Sequence, residues 1–304
     1  MRRLLPSLLA ALAIAGCGFG PGEPEQGAAE LHVTRDFGQQ RLGPVAYREE
    51  IRPSDTVMRF LQSERTVTTR FGGGFVQSIQ GLAGNKQGEH DWFFYVNGRE
   101  SSAGAADVKL EPSDVVQWDY HRWTATQHIP ATVGAFPEPF LHGFGGDRLP
   151  TRVECAEPDS KSCDDVIAAL ERQGVTAPSG VIGASAGKMS LRVVVAPWKD
   201  AREIISGRVV EKGPAVSGVY ARFTADGKLA LLDGAGQTAR EAPPGSGLVA
   251  ATQLEGDSTV WLVTGTDEQG VERAAAALDP AKLRNAFAVA ATPTGIVRLP
   301  VGGL

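Results

Sequence analysis

Three kinds of residue in this 304-residue chain could do chemistry: a serine flanked by glycines, a scatter of five histidines, and three cysteines. The stretch Gly183-Ala184-Ser185-Ala186-Gly187 has the Gly-x-Ser-x-Gly spacing of a nucleophile elbow, which lifts a serine hydroxyl onto a sharp strand-to-helix turn. The surrounding residues do not supply that setting. From Ser190 onward the chain reads as a strand, and every histidine lies at or before His142, ahead of the serine rather than behind it. Gly187-Lys188 lacks the spacing of a phosphate loop, and Met189 stands where its Ser or Thr belongs. His90, His121, His128 and His142 share none of the i, i+2 or i, i+4 spacings that recruit zinc. The paired carboxylates carry no sign of which ones converge, so glycoside hydrolysis has no support. The expectation is therefore no catalytic residue, no metal site, no cofactor and no enzyme.

The cysteines say more. Arg2 and Arg3 precede an apolar run over residues 4–15 that stops at Ile14-Ala15-Gly16-Cys17. A basic start, a short apolar run and small residues before a cysteine form a lipoprotein signal sequence. The run is too short for the roughly 20 residues that span a bilayer. Residues 1–16 read as signal peptide, Cys17 as the lipidated first residue, and residues 17–29, rich in Gly, Pro and charge, as a flexible stalk. The chain is then expected to be exported and lipid-anchored to the outer face of a bacterial cell membrane. In that oxidising setting Cys155 and Cys163 read as a disulfide. The formal charge of −5, with acids and bases interleaved, leaves no basic stripe for nucleic acid.

These residues need elements to hold them. Over residues 30–124, Leu31 to Phe37 alternates as a half-buried strand does, and Ser54 or Asp55 can cap a helix carrying Val57, Met58, Phe60 and Leu61 on one face. Phe75 to Ile79 follows three glycines, Trp92 to Val96 runs into Asn97-Gly98, the residues of a type I′ hairpin turn, and Asp114 to Trp123 closes the set. Strands around one helix predict a small β-grasp-like domain.

The block Asp91-Trp92-Phe93-Phe94-Tyr95-Val96-Asn97-Gly98, with Gly104-Ala105, Leu110, Ser113-Asp114 and the Trp118-Asp119-Tyr120 strand, resembles the bacterial family DUF4430. That family is similar to the C-terminal β-domain of the cobalamin carriers transcobalamin and intrinsic factor. The resemblance implies a small extracellular ligand-binding module, with a corrinoid as the first ligand to test. In those carriers a helical barrel supplies the other half of the site, and no such barrel reads from this chain.

Alternation puts Trp92, Phe94 and Val96 on one face of their strand and Phe93, Tyr95 and Asn97 on the other. One set must be core, and the sequence does not choose which. Trp92, Tyr95, Asn97, Trp118, Tyr120 and Trp123 are the candidate ligand-binding residues, because Trp and Tyr combine apolar area with a polar handle.

Residues 125–150, with Phe136-Pro137-Glu138-Pro139-Phe140, read as a crossover whose aromatics pack between domains. Residues 151–304 read as a mixed α/β domain. Strands are expected at 151–155, 191–198 and 260–265, helices at 164–173, near 201–205 and at 269–278, and hairpins at 216–223/228–233 and 287–291/296–301. The whole is thus an α+β chain. Its leading reading is a membrane-anchored lipoprotein that captures a corrinoid or similar small molecule in an aromatic cleft between its domains and presents it to a membrane transporter. The alternative is a cell-surface adhesion or envelope interaction protein with no small-molecule ligand.

Overall fold

The structure is a computed structural model that describes residues 25–183, 190–254 and 258–302. The signal peptide, Cys17 and most of the Gly183–Gly187 motif, Ser185 included, lie outside the described residues. No helix among the described residues is long and apolar enough to cross a membrane.

The first half contains β1 (Glu25–Arg35), β2 (Gln40–Arg41), β3 (Ala46–Ile51), α1 (Val57–Glu64), β4 (Val67–Arg70), β5 (Phe75–Ile79), β6 (Leu82–Ala83), β7 (His90–Val96), β8 (Arg99–Glu100) and β9 (Val115–Arg122). The main sheet runs β2-β1-β9-β7-β8, with β3 also pairing β1. β1 and β9 are parallel, from Glu30 opposite Val115 to Arg35 opposite Tyr120, while β7 and β9 are antiparallel. A small sheet, β4-β5-β6, stands beside α1. Val57, Met58, Phe60 and Leu61 of α1 bury against Leu31, Val33, Trp92, Val116 and Trp118, as their helical spacing predicts.

Two expectations are corrected here. The strand begins at Glu25 and pairs β3 from there, and Ala29 is fully buried, so residues 25–29 are sheet rather than stalk. The cap of α1 is Thr56, whose hydroxyl accepts from Arg59 N at 3.2 Å, not Ser54 or Asp55. Asp55 is engaged elsewhere: its carboxylate accepts from Arg52 N and pairs with Arg48 at 3.2 Å.

The second half contains β10 (Thr151–Cys155), α2 (Lys161–Glu171), β11 (Ser179–Val181), β12 (Leu191–Pro197), α3 (Trp198–Ala201), α4 (Ile205–Glu211), α5 (Pro214–Ser217), β13 (Ala221–Phe223), β14 (Leu229–Leu232), β15 (Thr238–Glu241), β16 (Gly247–Leu254), β17 (Ser258–Gly265), α6 (Glu268–Ala275), α7 (Pro280–Leu283), β18 (Ala288–Thr292) and β19 (Gly295–Leu299). Its seven-stranded sheet runs β11-β10-β12-β17-β16-β18-β19, parallel through β17 and antiparallel beyond it. Both faces are covered. Trp261 and Val263 pack with residues of α2 and α6 and with Phe136 and Phe140 of the crossover, whereas Val260 and Leu262 pack with Trp198, Val210 and Tyr220. That is why β17 is a near-continuous apolar run. The 216–223 strand is corrected at its start: Pro214–Ser217 is a helical turn, and pairing with β14 begins at Ala221. The short helix foreseen near 201–205 is two helices, one ending at Ala201 and the other starting at Ile205.

Cys155 and Cys163 form the disulfide, with Cα atoms 6.0 Å apart, tying the end of β10 to the first turn of α2. The helix start is capped by the Ser160 hydroxyl, which accepts from Cys163 N.

The two halves share a core. Phe37, Tyr95 and Ile129 of the first half pack with Tyr220 and Phe287 of the second. Phe37 meets Tyr220 and Phe287 with ring centroids 5.0 and 5.4 Å apart, and Tyr95 meets Phe287 at 5.2 Å. The assumption that only one face of β7 is core is overturned: Trp92 and Phe94 pack toward α1, and Phe93 and Tyr95 pack toward the second half.

Candidate ligand-binding site

Strand β7 has one closed edge and one partly open edge. β9 pairs its whole length, but on the other side β8 reaches only Tyr95 and Val96, and Asn85 bridges His90. Among the described residues Asp91 to Phe94 therefore has no strand partner on that side, and a cavity of about 620 Å³ lies against it. Because the cavity wraps a strand edge, it is lined by side chains of both faces: Trp92, Phe94 and Trp118 from one, Phe93 from the other, with Phe75 and Trp123 completing the aromatic wall. Phe94 and Trp118 stack at 4.9 Å. The volume falls within the 300–1,000 Å³ common for small-molecule sites.

The polar residues at this cavity are few. Asp91 Oδ1 accepts from Trp92 N at 2.9 Å, and burial raises its carboxyl above the usual range. Glu100, at the far end of the open edge, is also raised, chiefly by burial. Its Oε2 accepts from Ile129 N at 2.9 Å, and Oε1 lies 3.7 Å from His128 Nδ1. Lys86 and His128 stand exposed beside them. The Trp118 indole N–H is buried with no protein partner among the described residues.

Of the residues expected to bind ligand, Trp92, Trp118 and Trp123 line the cavity. Tyr95, Asn97 and Tyr120 do not. Tyr95 is fully buried between the halves. Asn97 is a structural residue: at φ 53° it builds the hairpin turn with Gly98 at φ 76°, and its side chain donates to Asp114 Oδ1 and Gly143 O and accepts from Val115 N. Tyr120 donates from its hydroxyl to Ala83 O at 3.1 Å. Sequence reasoning missed Phe75, Phe93, Phe94, Asp91 and Glu100. Asp91 carries one signal in hindsight, an acid directly before four aromatics. Aromatic rings pack the seam between the halves but leave two smaller hollows there, of about 280 and 220 Å³, whereas the aromatic cavity is lined by residues of the 74–128 stretch alone and is not the expected cleft between domains. The Cys155–Cys163 bridge is buried in the second half's core, away from it.

Residues 54–122 match the sequence profile of DUF4430, a domain of unknown function. The DUF4430 match opens two residues before the α1 cap, Thr56, and closes at the end of β9, so β1, which pairs β9 in parallel, precedes it. No curated protein sequence matches the chain significantly. Among solved structures, the chain is similar to a candidate metal-binding protein from Ruminococcus gnavus ATCC 29149, at 13% identity and a TM-score of 0.27, covering 32% of this chain and 98% of that one. It is also similar to haptocorrin in complex with Cbi, at 13% identity and a TM-score of 0.25, covering 32% of this chain and 26% of haptocorrin. No cluster of three or more metal-ligating side chains occurs among the described residues.

Proposed function

We propose that this chain is an exported lipoprotein, anchored through Cys17, that captures a small molecule in the cavity along the open edge of β7 and presents it to a membrane transporter. The observation that carries the capture reading is the cavity itself: about 620 Å³ walled by six aromatic side chains. The anchor and the transporter rest on the signal-like first 17 residues. A corrinoid is the first ligand to test, because the aromatic block resembles the β-domain of the cobalamin carriers.

The test is calorimetric titration of the chain from residue 18 onward, which keeps every described element, with cobalamin and cobinamide. Saturable binding at micromolar or tighter affinity, weakened about tenfold or more in Trp123→Ala, supports capture at this site. Trp123 is half-buried at the cavity, so its truncation spares the core. Absence of heat with both compounds removes the corrinoid and moves the adhesion reading forward. The anchor is tested separately, by mass spectrometry for a lipid on Cys17.

A further inference from the structure

We infer that the β7 cavity selects an organic cation, an apolar or aromatic body bearing a positively charged nitrogen. This rests on the small-molecule reading above and specifies the chemistry of the same site.

Aromatic rings present a negative quadrupole, so a cage of Trp and Phe attracts a weakly hydrated cation more than a neutral group of the same shape. Here Trp92, Phe93, Phe94, Trp118, Trp123 and Phe75 surround one cavity. The carboxylates are placed to add to that field. Asp91 stands at one end of the open edge, and Glu100 pairs opposite Tyr95 at the other. At about 3.3 Å per residue the two bracket a stretch of roughly 13 Å, the aromatic stretch itself.

Neither carboxylate is neutralised from within the cavity. Among the described residues Asp91 has no ion pair within 4 Å, with Lys86 and Arg70 acting on it from farther off, and Glu100 has the His128 imidazole, itself 86% exposed, at 3.7 Å, with His121 more distant. Lys86 is exposed at the same rim. Burial outweighs these partners at both acids. An anionic ligand would meet two carboxylates, and a neutral one would cover them without compensation. A cation supplies the missing charge and takes up the ring faces together.

The experiment compares two molecules of one shape, 4-(trimethylammonio)benzyl alcohol and 4-tert-butylbenzyl alcohol, by tryptophan fluorescence and calorimetry on the chain from residue 18. The expected result is at least about tenfold tighter binding of the cation. That preference should shrink in Asp91→Asn and Glu100→Gln, with the fold of each variant checked separately by its thermal unfolding. Equal or tighter binding of the neutral compound overturns the cation inference and leaves the capture reading standing. Failure of both compounds to bind overturns the cation inference, and the corrinoid titration alone then decides the capture reading. A cation preference that survives both substitutions also overturns the assignment to these two carboxylates.

Discussion

The Nδ1 atom of His121 donates to Asp119 Oδ1 at 2.8 Å, with both side chains buried at the seam between the halves. Asp119 also accepts from the Thr34 hydroxyl at 2.6 Å and from the backbone N–H groups of Phe37 and Gly38 at 2.9 and 2.8 Å. The imidazole is held between Phe93 and Phe37, stacked at 4.4 and 4.5 Å. One carboxylate thus gathers the end of β1, the turn after it and β9 under the rings that meet the second half.

Replacing Asp119 by Ala should leave three buried donors unmatched, His121 Nδ1 and the N–H groups of Phe37 and Gly38, while the Thr34 hydroxyl keeps Trp118 O at 3.2 Å. Each orphaned group costs about 1–3 kcal/mol, so a loss of at least about 3 kcal/mol is expected in urea denaturation. Asp119→Asn keeps the shape and part of the accepting capacity and should lose less. A change below about 1 kcal/mol for the Ala variant would show that the network does not hold the seam.

Gly38 tests the contact from the other side. Its φ is +77°, and a Cβ placed there would lie 1.6 Å from the carbonyl oxygen of Asn285 in the second half. Backbone on both sides cannot yield as a flexible side chain would, so Gly38→Ala should cost more than about 2 kcal/mol and increase the radius of gyration in solution scattering. Gly227 has φ +81° with open space around it, and Gly227→Ala should cost only about 1–2 kcal/mol with no change in scattering. Similar behaviour of the two variants would count against a tight seam.

Asp114 gives a pH dependence. Burial is the largest influence on it and raises its pKa from 3.8 to about 6, against the hydrogen bonds it accepts from Glu111 N and Asn97 Nδ2. A carboxyl whose folded pKa is raised binds its proton more tightly when folded, so its ionised form weakens the fold above about pH 6. That penalty fades as the pH falls from 6 toward 3.8, and the interval corresponds to roughly 3 kcal/mol. Asp114→Asn removes the titration. The stability of the natural chain relative to this variant should therefore rise as the pH is lowered from 7 to 4. A constant difference across that range, followed by chemical denaturation, would refute the burial effect.

Much of the local structure was legible because its causes are local. Asn97-Gly98 announces its turn because positive φ at two successive positions admits few residues. Cys155 and Cys163 announce their bridge as a close pair of cysteines, and the apolar spacing of α1 announces its buried face. The cap of α1 was misread because Ser, Asp and Thr in a row all qualify. The outcome turned on Arg48 and Arg52, which occupy Asp55 from a neighbouring strand and loop.

The period of two along β7 and β9 is a property of the chain itself, since successive side chains of a strand point to opposite faces. Which face meets solvent is not. Gln117, Asp119 and His121 alternate with Val116, Trp118 and Tyr120 as a wet face alternates with a core, yet the second half covers them and Gln117 donates to Asn285 O across the seam. The same holds for the site. The crowding of aromatic residues on one strand is written in the order of its residues. The burial of both faces, and the unpaired edge that brings Trp92, Phe93 and Trp123 to one cavity, came from folding, because strand pairing and domain packing are set by distant residues that no local pattern encodes.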